Sequence, residues 1–483
     1  MLTALPLTLF CLMPEPLRAA ADMTSLAGEW RFALDRNDVG TNEQWFAKNL
    51  PDKIQLPGIL EAQGYGDEIG IHTPWVLTLY DHFWYLRADY AADTNAGNVK
   101  VPFLCQPPRH YLGAAWYQRD IELSPELKNR RVLLFLERPH WKTTVWLDDK
   151  EIGSDISLCT PHEYDFGLVP PGKHRLTIRV DNRMQFPNPA GMHAMDAHSV
   201  SDSLDSAWNG IVGKIGIRST TPVWIEDLQV YPHAATKSVT IKGTIGNITG
   251  KPGSGQFQMI VTPFVFSQKS KPMGGKMMNV SWTTNGGNFE TELALDKDAG
   301  LWDEFNPTIY RLMIGFGTNT GSGRHFGLRD FKAVGQDFEI NGRKTCLRGT
   351  HFGGDFPLTG YPPTDVESWK KIIQTCKDWG LNHMRFHSWC PPEAAFEAAD
   401  ELGFYLQVEC GMWNDFSPGS TMEKTLYAET DRILRAYGNH PSFVLLSASN
   451  EAHGNWKPCL TQWVEHFRAK TPAGFIPRTP AGR

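Results

Sequence analysis

At 483 residues the chain is too long for one ordinary core and is expected to fold as two to four domains. Its net charge of −6 comes with no basic block or acidic run, which argues against nucleic acid as the main partner. No apolar stretch after the N-terminus approaches the roughly 18 residues needed to cross a bilayer, and the 17 Trp suit either carbohydrate stacking or a large β-rich core.

Residues 5–13 are apolar, and Arg18-Ala19-Ala20-Ala21 offers small residues for cleavage before Asp22. Residues 1–21 therefore read as a secretion signal, which makes the mature chain periplasmic or secreted. The pattern is unusual in having no Lys or Arg ahead of the apolar segment, so a misassigned start or a short buried strand stays open. Eight cysteines form no Cys-x-x-Cys pair and are widely spaced, which suits buried fillers better than zinc or a disulfide framework.

Residues 22–221 read as an all-β unit, a jelly-roll β-sandwich. Val132-Leu133-Leu134-Phe135-Leu136 predicts a buried strand, and Thr144-Val145-Trp146-Leu147 another, closed by a turn at Asp148-Asp149-Lys150. Residues 174–180 alternate, with Leu176, Ile178 and Val180 on one face and Arg175, Thr177 and Arg179 on the other, the pattern of a half-buried strand. The aromatic stretch 65–110 reads as a cover over this unit or a substrate-facing loop. Residues 222–325 read as a second, immunoglobulin-like β-sandwich, with exposed loops at 250–255 and 318–323.

From Phe326 the period changes. Thr364-Asp365-Val366-Glu367 is a capping box, Trp369, Ile372, Ile373 and Cys376 keep helical spacing, and Gly380 stops the helix. Further helices are expected from Pro391-Pro392 to Gly403, over 422–437 and over 460–470. Strands are expected at 346–349, 383–387, 404–409 and 443–449. Strict alternation means parallel βαβ units. Four strands are half of a closed eight-stranded barrel, so residues 326–470 read as the N-terminal half of a TIM barrel and 471–483 as an irregular tail. The fourth strand delivers Asn450 and Glu451 at its carboxyl end, where barrels place catalytic groups. A carboxyl held there against apolar walls can have its pKa raised toward what a general acid requires.

Two β modules followed by a (β/α) barrel resemble glycoside hydrolase family 2, the β-galactosidase, β-glucuronidase and β-mannosidase group. Motifs in order carry the resemblance: Leu26-Ala27-Gly28-Glu29-Trp30-Arg31-Phe32, Trp116-Tyr117-Gln118-Arg119, Trp208-Asn209-Gly210-Ile211, Leu301-Trp302 with Asn306-Pro307, Phe326-Gly327-Leu328-Arg329, Ile340-Asn341-Gly342, Leu347-Arg348-Gly349 and Asn450-Glu451. The resemblance implies a retaining exo-acting β-glycosidase, in which an acid protonates the leaving oxygen and a carboxylate about 5–5.5 Å away attacks the anomeric carbon. Glu451 falls on the acid/base position and Asn450 on the residue that binds the sugar 2-hydroxyl. The nucleophile would come from a later barrel strand, and no residue here matches it.

Other candidates sit at strand ends. Glu409 matches an acidic position near the sugar or a cation, and the alternative is a buried ion pair with Arg385. His351, just past the first strand, is placed to touch a sugar hydroxyl or to cap. The family's Arg-x-x-His-Tyr-Pro pattern appears as Arg385-Phe386-His387-Ser388-Trp389-Cys390-Pro391. His387 thus comes one residue early, which turns a strand side chain to the other face, and Trp replaces Tyr. Trp389 and Trp413 read as stacking platforms or core, and Asp205 as a residue reaching the sugar from the first sandwich. No cofactor is required; a structural Mg or Ca ion beside Glu409 and Glu451 is compatible, though no ligand spacing demands it. The expected partner is an oligosaccharide or glycoside, with β-galactosidase-like specificity first and β-glucuronidase second. A catalytically dead carbohydrate-binding fragment is the reading from outside the enzymes, and oligomeric state is not legible.

Overall fold

The computed structural model describes residues 23–76, 83–95, 97–103, 106–183, 202, 207–264, 271–316, 321–354, 356–411, 415–470 and 476–478. The expected secretion signal, Cys105, Asp205 and Trp413 lie outside the described residues. The described chain is mostly sheet, and its four α-helices all follow residue 365.

Two antiparallel sheets share the first core. One runs Thr24–Ser25, Gly210–Thr220, Arg131–Pro139, His162–Leu168, with Gly58–Ile59 also on Gly210–Thr220. The other runs Asp52–Leu56, Gly28–Asp35, Ala114–Leu123, Gly172–Asp181, Lys142–Leu147, Lys150–Ile156. Leu134, Leu136, Ile215 and Ile217 from the first meet Phe32, Tyr117, Val145 and Ile178 from the second. The Trp208-Asn209-Gly210 motif locks an edge of this core. Asn209 Oδ1 accepts from Tyr117 Oη at 3.0 Å, and its amide donates to the Gly113 carbonyl at 3.0 Å. A Cβ on Gly210 would lie 2.3 Å from the Gly58 carbonyl oxygen, so no side chain fits there.

The Gly172–Asp181 strand is covered on both faces rather than half-buried, since Thr177 is 0% and Arg179 9% exposed. The chain between residues 36 and 50 lies over its outer face. Gln118 donates to the Lys48 carbonyl there, and Arg179 pairs with Asp38 at 2.7 Å. The aromatic insertion gathers its own small cluster of Trp84, Val99 and Val101, flanked by Trp75, Tyr85 and Tyr90.

In the second β unit, Ser238–Asn247 carries Val223–Ile225, Gln229–His233 and Gly287–Ala294, while Gly274–Trp282, Gly253–Pro263, Tyr310–Phe316 and Ser322–Phe326 form the facing sheet. Val239, Ile241, Phe257, Met259, Leu312 and Ile314 fill the space between. The expected loop at 318–323 therefore ends in a strand.

A three-stranded meander (Phe331–Val334, Asp337–Ile340, Arg343–Thr345) precedes a parallel sheet of Gly349–Phe352, His383–Phe386, Tyr405–Glu409, Phe443–Ser447 and Ile476–Arg478. The last strand falls where the sequence suggests an irregular tail, and it pairs parallel to Phe443–Ser447. Helices α1 (Val366–Asp378), α2 (Glu393–Leu402), α3 (Thr421–Tyr437) and α4 (Trp456–Lys470) alternate with these strands. The cap of α1 is Asp365, one residue later than expected; its carboxylate accepts from Ser368 N at 2.8 Å and meets the positive helix end. Met384, Phe386, Leu406, Val408 and Leu446 point to the helices, where Trp369, Phe396, Leu426 and Trp463 meet them. Tyr405 and Leu445 lie on the opposite face, packed on Trp302, Phe331 and Ile340.

Candidate active site

Residues on the sheet face away from the helices line up by register. His351 is level with Arg385, Arg385 with Gln407, and Gln407 with Leu445; Glu409 is level with Ser447. In a parallel sheet level residues point the same way and alternate along each strand. The amino-terminal end of this face is plugged by Tyr405, which leaves its polar groups toward the carboxyl ends of the strands.

Arg385 organises those groups. Its Nε donates to Glu409 Oε1 at 2.7 Å, and its Nη2 donates to Asn450 Oδ1 at 2.8 Å. Ser388 N donates to the other Glu409 oxygen at 2.8 Å. Glu409 is 1% exposed, whereas the Arg385 side chain is 36% exposed. Burial pushes the Glu409 carboxyl above its usual range, while Arg385 and the Ser388 N–H pull it down. The ion-pair alternative for Glu409 is thus what the geometry contains. A metal ion at Glu409 does not fit, because a guanidinium and a backbone N–H hold its two oxygens. Among the described residues no three His, Cys, Asp or Glu side chains stand together as metal ligands.

His387 lies two residues past Arg385 and joins the same side despite its early position. It hydrogen-bonds the Asn450 side chain, and its ring centroid is 4.6 Å from that of His351. Burial lowers the His387 pKa to about 4, with the Arg385 and His351 charges adding to the effect. The ring is therefore neutral at pH 7. His351 sits within the first strand rather than past it, on an exposed position. Glu451 follows Asn450 half-buried, with its backbone in the left-handed region at φ 46°. Ser388 shares that conformation at φ 56°.

The structure does not bring Trp389 to this group. It is 3% exposed, its Nε1 donates to the Phe352 carbonyl at 2.9 Å, and its ring packs 5.1 Å from Phe386 among Phe352, Phe356 and Trp369. Both its faces are occupied, so the stacking-platform reading is replaced by a core role. Two residues that the sequence reading underrated take central places. Arg385 had a signal, since it stands two residues before His387 on one strand. Ser388 had none, because its part is played by a backbone N–H and a positive φ.

The first β unit is clamped to this region. Glu429 of α3 accepts from Ser157 Oγ at 2.9 Å, Leu158 N at 3.1 Å and Cys159 Sγ at 3.0 Å, and Arg432 pairs with Asp155 at 2.5 Å. The second unit meets the end of α3, where Asn439 donates to the Val230 carbonyl at 2.7 Å.

No family model matches the chain. It is 22% identical over 389 residues to a β-galactosidase of Thermoanaerobacterium thermosulfurigenes, covering 75% of this chain and 52% of that protein. It is also 22% identical over 370 residues to a putative β-glucuronidase of Formosa agariphila, covering 73% and 41%. Among solved structures, a glycosyl hydrolase family 2 member from Bacteroides cellulosilyticus superposes with a TM-score of 0.69 at 16% identity, over 94% of this chain and 57% of that one. A β-glucuronidase from Bacteroides uniformis gives 0.69 at 16% identity, over 95% and 52%. The chain spans about half the length of these curated relatives, and the structural likeness is one of fold.

Proposed function

We infer that this chain, related in sequence to β-galactosidases and β-glucuronidases and sharing the glycoside hydrolase family 2 fold, supplies the sugar-binding and acid/base part of a retaining β-glycosidase. The finer architecture in this reading is a jelly-roll sandwich, an immunoglobulin-like sandwich and the first half of a (β/α)8 barrel. The observation that supports it is the placement of Asn450-Glu451 at the carboxyl end of a parallel strand, with Asn450 held by Arg385 over buried Glu409.

In this reading Glu451 protonates the leaving oxygen. Asn450 has its carbonyl oxygen committed to Arg385, which orients the amide, and its N–H group serves the sugar 2-hydroxyl. His351 and the neutral His387 ring offer further contacts to sugar hydroxyls. The attacking carboxylate is assigned to no described residue, since Glu409 is tied to Arg385 and Ser388. The glycone is a terminal β-galactoside. A β-glucuronide is the second reading, favoured by the part-exposed Arg385 side chain, whose cation is suited to a sugar carboxylate.

The test combines calorimetric binding of galactose and glucuronic acid with hydrolysis of their nitrophenyl β-glycosides. One sugar is expected to bind, and Asn450→Ala to weaken it about tenfold or more. Glu451→Gln should cut any hydrolysis by about 100-fold or more while leaving binding intact. Binding without turnover by the native chain would favour a carbohydrate-binding role alone. Failure to bind either sugar would remove the reading.

A further inference from the structure

We propose that a second copy of this chain pairs with the open edge of the parallel sheet, antiparallel and across a two-fold axis at Gly349. The Gly349–Phe352 strand ends that sheet, with His383–Phe386 on one side and no strand on the other among the described residues. The Arg348 carbonyl accepts from Asn382 N at 2.9 Å, and the Phe352 carbonyl accepts from His387 N at 3.0 Å. Alternate residues of a strand turn their backbone groups to opposite sides. Gly349 therefore aims its N–H and C=O away from His383–Phe386, and it is exposed. Two such residues facing each other exchange a pair of N–H···O=C bonds, and the absence of a side chain lets the backbones approach.

The surroundings of this strand are self-complementary. Among the described residues from 349 onward, the large apolar side chains left exposed are Leu358, at 98%, and Trp379, at 82%. Trp379 ends α1 beside the start of the strand, where Arg348 Nε donates to the Gly380 carbonyl at 2.8 Å. Leu358 lies past the other end, two residues after Phe356, whose ring is 5.5 Å from that of Phe352. A two-fold axis at Gly349 reverses the second strand and brings Trp379 of each copy to the Leu358 end of the other. Charge has the same polarity. The Arg348 side chain, 52% exposed, stands at the Trp379 end, and the exposed Asp365 and Glu367 stand at the Leu358 end. The two copies of α1 run antiparallel, so opposite helix poles adjoin. Assembly closes at two chains, because each copy uses up the edge it offers. His351 follows on the same strand, so the second copy borders the candidate site, but the pairing is independent of the sugar chemistry assigned there.

The native mass of the full chain, measured by analytical ultracentrifugation over a range of concentrations, should be that of a dimer. Leu358→Lys and Trp379→Lys should each raise the dimer dissociation constant about tenfold or more. Both side chains are exposed, so the melting temperature of the dissociated chain should stay nearly unchanged. In a Cys346→Ser background, Leu358→Cys chains mixed with Trp379→Cys chains should be joined by a short bis-maleimide, and neither kind of chain should be joined to itself. A monomer at every concentration would overturn the proposal and leave the edge to a strand from a different polypeptide. A dimer indifferent to both lysine variants, or one that the mixed chains fail to cross-link, would overturn it equally. The native mass and the cross-link decide the matter even if a lysine variant fails to fold.

Discussion

Two left-handed backbone positions set the geometry of the candidate site. Ser388 and Glu451 both hold a left-handed backbone that costs a non-glycine residue roughly 1–2 kcal/mol. Each follows a parallel strand, and each turns the chain across the strand tips. Ser388 is the better test, because its hydroxyl is buried and has no hydrogen-bond partner among the described residues. Its N–H, the part that Glu409 uses, survives any substitution except proline. Ser388→Gly removes the backbone strain and an unsatisfied hydroxyl, offset in part by the greater freedom of glycine in the unfolded chain. The expected net is a gain of about 1 kcal/mol, read from urea unfolding midpoints. A loss of comparable size would show that the Ser388 hydroxyl is satisfied in the native protein. A gain accompanied by weaker sugar binding would mark the strain as serving the ligand.

At the scale of elements, helix α3 joins the sheet that carries the site to the first β unit. Glu429 is its buried anchor, with three donors converging on Oε1 from a single turn of the first β unit. Burial raises the Glu429 carboxyl pKa, and the donors from Cys159 and Ser157 oppose that rise. Glu429→Ala leaves the Leu158 N–H and the Ser157 hydroxyl without this acceptor, so a loss of about 2–4 kcal/mol is expected in thermal or chemical unfolding. Glu429→Gln keeps one acceptor oxygen and should recover part of it. A Glu429→Ala chain within about 0.5 kcal/mol of the parent would mean that the two units are held elsewhere. None of this is legible in the sequence, where Glu429 reads as one more polar helix residue between Leu426 and Ile433. Local patterns were better guides. The helical spacing of Trp369, Ile372, Ile373 and Cys376 gives α1, and Gly403, at φ 65°, ends α2 as its position suggests. The first parallel strand is less local. Residues 346–348 look like a strand, but the Asn382 side chain ties them, donating to the Cys346 carbonyl and accepting from Arg348 N. The paired ladder therefore begins three residues later, at Gly349.

For the whole molecule, the order of units follows from periodicity, because alternation of two and of 3.6 residues is written along each segment. How the units lean on one another is not, since it depends on pairs hundreds of residues apart. The Glu409–Arg385 pair was legible only as an alternative, and the fate of Trp389 depended on which face of a turn met α1. Acid titration probes the contact between units directly. His162 begins a strand of the first β unit, fully buried, with Nδ1 2.6 Å from Thr143 Oγ1. Burial lowers its pKa to about 4, Asp155 opposes the shift, and Arg432 reaching across from α3 adds to it. Between about pH 6.5 and pH 4 the unfolded chain binds a proton at this histidine that the folded chain does not. Stability from this residue is therefore present at neutral pH and falls as pH falls through that window. His325 and His387, also near 4, act in the same direction. Glu61, Glu409 and Glu429 have raised pKa values, so their contribution falls instead as pH rises from their unfolded values. Because these slopes oppose one another, the informative quantity is a difference between chains. His162→Gln keeps a polar partner for Thr143 and removes one titration. Its unfolding free energy should depend less steeply on pH between 6 and 4.5, by up to about 1.4 kcal/mol per pH unit relative to the parent. Parallel profiles for the two chains would show that His162 is protonated in the folded state, and that the contact between α3 and the first β unit admits water at that point.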